Sequence, residues 1–428
     1  MKSEQPLPAD TSGLAVPPAP SAPMTPPEPG TATVERARIA TGVAFFISGL
    51  AFASWISRAP AVRDSLDLNS AQFGLLLLCL STGAVAALPL SGPLVHRIGP
   101  ARAVLAGAVA VAAGLFALGV GTGIGDVRFS GLGLVVAGLG ISTWDVAMNV
   151  EGADVERRLS RPLMPRLHAG FSLGTVAGAL LAAAAASSGL SVSGQLVATS
   201  VLVLAVMIPA TRRFLPVPPQ PAGEQRHRSG ALQAWREPRT LLVGLLVLAF
   251  AFTEGTANDW IAVAFVDGYA ASDTLAAVGF GVFMAAMTAA RLAGSAVLQR
   301  WGRVTTLRIT AVLASIGLLL VVLGPALPWA LAGAALWGAG ASLGFPVGMS
   351  AAADEPLRAA VRVSVVSSIG YTAFLAGPPL VGFLAEATSI RQALLVVLVA
   401  TVVGFVVAGV ARPTAPVSPP AAPREEGV

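Results

Sequence analysis

Apolar residues gather along this chain into twelve stretches, with the polar positions collected in short breaks between them. The stretches fall at about 39–57, 72–92, 102–121, 130–150, 167–188, 193–211, 240–265, 275–298, 306–324, 328–352, 363–386 and 391–411. Each is roughly 18–25 residues long, the length a helix needs to cross a hydrocarbon layer of about 30 Å. The pattern therefore predicts twelve membrane-crossing helices and an all-α membrane protein. Glycines at spacings of four, such as Gly170, Gly174 and Gly178, allow helices to approach closely in lipid.

Composition agrees: of 428 residues, 55% are hydrophobic and only 11% charged, with a mean hydropathy of +0.76. A soluble chain of this size needs more charge to cover its surface. The net charge of +5 suggests nucleic acid only until the charges are located. Of 27 Lys and Arg, 22 fall in the termini and even-numbered loops, four in odd-numbered loops, and one, Arg291, in a helix. By the positive-inside rule the even loops and both termini are cytoplasmic, and no nucleic-acid partner is expected. Cys79 is the only cysteine, so a disulfide within the chain or a cysteine-based metal site is excluded. Residues 1–37 and 413–428 are Pro-rich and read as disordered cytoplasmic tails, the first with no apolar core of a signal peptide.

The halves repeat. A shift of 200 positions superposes Gly138 on Gly338, Gly140 on Gly340, Ser142 on Ser342 and Asp154 on Asp354. A shift of 205 superposes Trp55 and Ile56 on Trp260 and Ile261, and Gly74 on Gly279. Residues 38–214 and 240–412 thus form two six-helix bundles, joined by a linker at 215–239. After helix 2 come Gly92, Arg97, Gly99 and Arg102; after helix 8 come Gly294, Arg300, Gly302 and Arg303. Glycines there make tight turns, and arginines can hold helix ends at a gate.

These residues resemble the gate motif of the major facilitator superfamily, although His96 and Gln299 stand where its acidic residue usually does. The segments Ala53–Asp64, Asp145–Glu156, Thr253–Ile261, Ala341–Pro346 and Arg362–Gly382 resemble the YbjJ-type branch of bacterial inner-membrane facilitators over about residues 38–412. More distantly, the chain is similar to fucose–proton symporters. The resemblance implies a bacterial cytoplasmic-membrane transporter of pseudo-symmetric design, with helices 1, 4, 7 and 10 around a central site. It says little about the substrate.

Charges inside a membrane are costly and usually functional. Helix 7 carries Glu254 near mid-membrane, with Asn258 about 40° round the helix and Asp259 about 140° round. Glu254 and Asp259 could share one cavity only if the helix unwinds, and Gly255 offers a place for that. Helix 4 carries Asp145 and Asn149 on one face, with Ser142 and Trp144 nearby; helix 10 carries Trp337. Asp145 either faces the helix-7 carboxylates or pairs with Arg291, which otherwise snorkels to the interface. Proton coupling is expected at Glu254, Asp145, Asp259 and Arg291, and solute binding at Asn149, Asn258, Ser142, Trp144 and Trp337. Glu151 and Asp154 are expected to join gate networks with Arg157 or the repeated arginines. Arg58 is an outer gate or anchor, and His168 an interfacial hydrogen-bonding residue.

The function expected is proton-coupled movement of a small polar, sugar-like solute by a monomer, without cofactor or metal. Export of amphipathic drugs is the alternative in the same class. It is weakened because the Gly-Pro pair lies at Gly377–Pro379 in helix 11 and not in helix 5. A receptor or scaffold would be expected to carry a long structured soluble segment. No phosphate-binding loop or nucleophile motif points to an ATPase or another enzyme.

Overall fold

The computed structural model describes residues 30–159, 163–215, 234–355 and 358–413. Most of the two tails and of the linker lie outside the described residues. Six long helices form the first half: α1 (Thr31–Ile56), α2 (Ser70–Ile98), α3 (Pro100–Ile124), α4 (Val127–Leu159), α5 (Met164–Ser187) and α6 (Val192–Thr211), with a short helix at Ala59–Ser65 between the first two. The second half begins with α7 (Pro238–Tyr269). The 51-residue helix Asp273–Leu323 turns back at Gly302 (φ 71°, ψ 170°), so it makes two crossings, α8 before the glycine and α9 after it. Then follow α10 (Leu327–Ala352), α11 (Ala359–Ala387) and α12 (Ile390–Ala411). Twelve crossings result, as the hydrophobic pattern predicts. The protein is an all-α membrane protein of two six-helix bundles.

α1 starts at Thr31, inside the segment expected to be a tail, because a Glu35–Arg38 ion pair at i, i+3 supports one more turn. α4 also outruns its apolar stretch, its last turns carrying the polar run Glu151–Leu159.

The repeat is visible in the backbone. Gly99 (φ 83°, ψ 159°), between α2 and α3, has nearly the conformation of Gly302. That region of φ, ψ is open essentially to glycine alone, so the motif copies fold alike. Packing repeats too: a Cβ on Gly138 would lie 2.1 Å from the Leu80 carbonyl oxygen of α2, and one on Gly338 would lie 2.2 Å from the Phe283 carbonyl oxygen of α8.

The halves meet along α2 with α11 and α5 with α8. Both seams tighten toward the face opposite the linker. Gly74 of α2 abuts Pro378 of α11, and Ala182 and Ala183 of α5 pack on Ala277 of α8. Among the hydrogen bonds and ion pairs between described residues, three links cross between the halves, and all lie on that far face. Arg63 pairs with Asp267, Arg58 with Asp273 at 3.5 Å, and the Ser70 amide donates to Glu386 at 3.2 Å. On the linker face the described polar pairs stay within one half: Asp154 with Arg157 and Arg158, and Asp354 with Arg239 and Arg303. The molecule is closed on the far face and parted on the linker face.

Candidate functional site

Where the halves part, a cavity of about 720 Å³ opens between α5 on one side and α8 and α10 on the other. His168 and Ser172 line it from the first half; Thr288, Arg291 and Ser350 line it from the second. Phe171 and Phe345 supply apolar ring faces.

Arg291 is the centre of this wall. Its Nη2 donates to both carboxylate oxygens of Glu254, each at 2.9 Å, and its Nε donates to the Ser342 carbonyl at 3.0 Å. The last bond follows from the sequence four residues on. Position 346 is proline, which has no N–H, so the Ser342 carbonyl loses its usual helical partner. α10 breaks there, its two parts ending at Ala341 and restarting at Gly344. The guanidinium takes the freed carbonyl and ties α8 to both α7 and α10.

This corrects one expectation: the partner of Arg291 is Glu254, and it does not pair with Asp145. Among the described residues the Asp145 carboxylate accepts only from Asn149, one turn on, at 3.2 Å. α7 remains helical through Gly255, without the expected unwinding. Asp259 therefore stays on a different side of α7 from Glu254, half-buried and with no hydrogen bond to a described residue.

The expected solute-binding set is corrected further. Trp144 and Trp337 are fully buried inside their own halves. The backbone of Trp144 packs on Gly107 of α3, and Trp337 packs edge-on against Phe283 and donates to the Thr253 carbonyl at 3.1 Å. Ser142 donates to the Ala84 carbonyl of α2 at 2.8 Å. These three are interhelical packing groups because small residues on the neighbouring helices face them. The Asn258 Oδ1 is buried with no partner among the described residues. His168 makes no hydrogen bond to a described residue; it packs edge-on to Phe45 and lies close enough to Arg291 for their charges to interact.

Of the residues expected at a gate, Arg303 holds Asp354 (2.7 and 3.0 Å) and Ser350 (2.9 Å). Arg97, Arg102 and Arg300 pair with no described residue, so the contacts of the two motif copies differ. Glu151 takes the Leu215 amide at 2.7 Å, and no described arginine bonds it. Asp154 does pair with Arg157, as expected. Arg58 proves to be part of the far-face closure: buried, it donates to Gln195 at 2.8 Å and faces Asp273. Burial pushes its guanidinium down from the usual range, while the Asp273 charge acts the other way.

A family model, described as Major Facilitator Superfamily, matches residues 39–356 and 255–428. The chain belongs to the major facilitator superfamily. It is similar to an uncharacterized transporter of Sinorhizobium fredii, 34% identical over 355 residues, covering 82% of this chain and 92% of the relative. In structure this facilitator resembles a nucleoside transporter (TM-score 0.72, 14% identity, 88% of this chain and 99% of that one). It also resembles the E. coli fucose:proton symporter (TM-score 0.59, 16% identity, 88% and 98%). Those two likenesses concern the fold. Its relatives are named transporters, consistent with a protein that is not an enzyme.

The cavity residues that sequence reasoning missed are Ser172, Thr288 and Ser350, with Asp267, Asp273 and Glu386 at the far-face closure. Thr288 was traceable, since it sits one turn before Arg291 on the same helix face. The closure carboxylates lie in loops or at helix ends, where a charge is unremarkable in sequence.

Proposed function

We propose that this facilitator is a secondary transporter that carries a small polar, sugar-like solute across the bacterial cytoplasmic membrane, coupled to protons. In this reading the linker face and both termini are cytoplasmic, and the two halves of one monomer rock about the cavity. The observation that carries it is the Arg291–Glu254 pair, whose arginine lines the cavity. An acid held by a cation inside a membrane can exchange its partner for a proton, which links protonation to solute occupancy. Hydroxyls from Ser172, Thr288 and Ser350, beside the rings of Phe171 and Phe345, suit a solute with hydroxyls on one face and C–H groups on the other. A nucleoside transporter and a fucose:proton symporter among the structural neighbours are compatible with such a solute.

The test is uptake into proteoliposomes driven by an imposed pH gradient. Wild-type protein should accumulate its solute, and Glu254→Gln should retain exchange of solute without proton-driven accumulation. Unchanged pH-driven accumulation by Glu254→Gln removes the proposed coupling.

A further inference from the structure

We infer that the solute is a sugar acid, a polyhydroxylated carboxylate whose carboxylate displaces Glu254 from Arg291. The inference deepens the proposed function and rests on it.

The first argument is the charge on the wall. The cavity lining contains one guanidinium, one imidazole and several hydroxyls, and among the described lining residues no carboxylate. Glu254 lies behind Arg291, less exposed than it (17% against 34%). An ammonium-bearing solute would meet the cation first, whereas an anion would meet what it can bind.

The second is the unused valence of that cation. Arg291 spends Nε on Ser342 and Nη2 on Glu254, while Nη1 is accessible and bonds no described residue. A planar guanidinium grips a carboxylate through two parallel N–H donors. A neutral sugar cannot compete with a carboxylate for them. A solute carboxylate can, engaging Nη1 and Nη2 as Glu254 lets go.

The third is the balance of charge. Arg291 and Glu254 together are neutral. An entering anion leaves one negative charge in excess, and one proton on Glu254 removes it. The bond broken is Arg291–Glu254, the bond made is Arg291–solute, and the proton comes from the face on which the solute enters. The ionisable residues that the surrounding helices carry toward their middles are Arg291 (α8), His168 (α5), Asp145 (α4) and Tyr371 (α11). Asp259 shares α7, and neither α10 nor α12 has an ionisable residue in its middle. Of these, only His168 also lines the cavity with Arg291, and from the opposite half. A solute gripped by Arg291 and hydrogen-bonded to His168 draws the parted halves together. A volume of about 720 Å³ holds a hexuronate with room for water, and it falls within the roughly 300–1,000 Å³ usual for small-molecule sites.

The experiment measures binding to the purified full-length protein by ligand-induced thermal stabilisation at pH 6 and pH 8. The probes are glucuronate, galacturonate, gluconate, glucose, glucosamine and glucose 6-phosphate. The sugar acids are ionised at both pH values, so any pH dependence comes from the protein. Expected are binding of at least one sugar acid, tightening tenfold or more from pH 8 to pH 6, and none by glucose or glucosamine. Glu254→Gln should bind the same acid with little pH dependence, and Arg291→Lys at least tenfold more weakly. Preference for glucose, glucosamine or glucose 6-phosphate overturns the inference, as does pH-independent binding or no binding by any probe. If a neutral sugar is then accumulated by a pH gradient in a Glu254-dependent way, the proposed function stands and only the substrate class falls.

Discussion

Replacing Arg291 by methionine tests how the centre is held together. The substitution deletes the two 2.9 Å bonds to Glu254 and the 3.0 Å bond to Ser342, while keeping most of the side-chain volume. Glu254 then remains inside the helix bundle with its charge and no partner. Breaking a buried ion pair on one side costs about 3–5 kcal/mol. Because Arg291 is 34% exposed, water at the cavity wall recovers part of this, and about 2–3 kcal/mol is expected. Glu254→Gln strands the arginine but leaves an amide oxygen to accept from it, so about 1–2 kcal/mol is expected. The double variant carries no stranded charge. Its loss should fall short of the sum of the singles by about 1.5–3 kcal/mol, within the range found for directly bonded pairs. Equilibrium unfolding of the four proteins in detergent micelles gives the cycle. Additivity within about 0.5 kcal/mol would mean that the pair is not coupled in the folded protein, and the argument about exchange at Arg291 would lose its basis.

Three further outcomes are expected. Gly338→Leu places a Cβ within about 2.2 Å of the Phe283 carbonyl oxygen and should abolish recovery of folded protein, as should Gly138→Leu against Leu80; a normal melting profile from either contradicts the packing described. Arg63→Ala with Arg58→Ala should widen the distance between spin labels on the far ends of α2 and α11, because two of the three cross-half links are lost; an unchanged distance distribution would show that apolar packing alone closes that face. At Glu237, outside the membrane spans, burial raises the carboxyl but hydrogen bonds from Arg362, Thr240 and Arg358 outweigh it and hold it below the usual range. A depressed carboxylate adds stability that is present above its unfolded value and lost as pH falls through the folded one. Acid unfolding below about pH 4.5 should therefore be shallower in Glu237→Gln than in wild type, and identical acid limbs would refute the assignment.

The twelve crossings and the two-fold repeat were legible because they are written in long-range hydropathy and in glycines that neighbouring backbones or a positive φ require, such as Gly138 and Gly338 or Gly99 and Gly302. The cost of a charge in lipid singled out Glu254 and Arg291 individually. Their pairing was not legible, since it depends on the break in α10, whose signal is the absence of an amide at Pro346. The tryptophans misled for a related reason. A hydropathy pattern shows that Trp144 and Trp337 lie on helices bordering the centre, but both are buried where their backbones press against small residues on other helices, Gly107 and Gly317 among them.

The location of the three cross-half links bears on kinetics as much as on shape. If the buried Arg58 link and the two more exposed ones together favour the linker-open form by about 2 kcal/mol, the far-open form is populated about one part in thirty. A solute arriving at the far face then meets an apparent affinity about thirtyfold weaker than one arriving at the linker face, although the binding residues are the same. The protein would behave as a rectifier of affinity, with saturation reached at very different concentrations on its two sides.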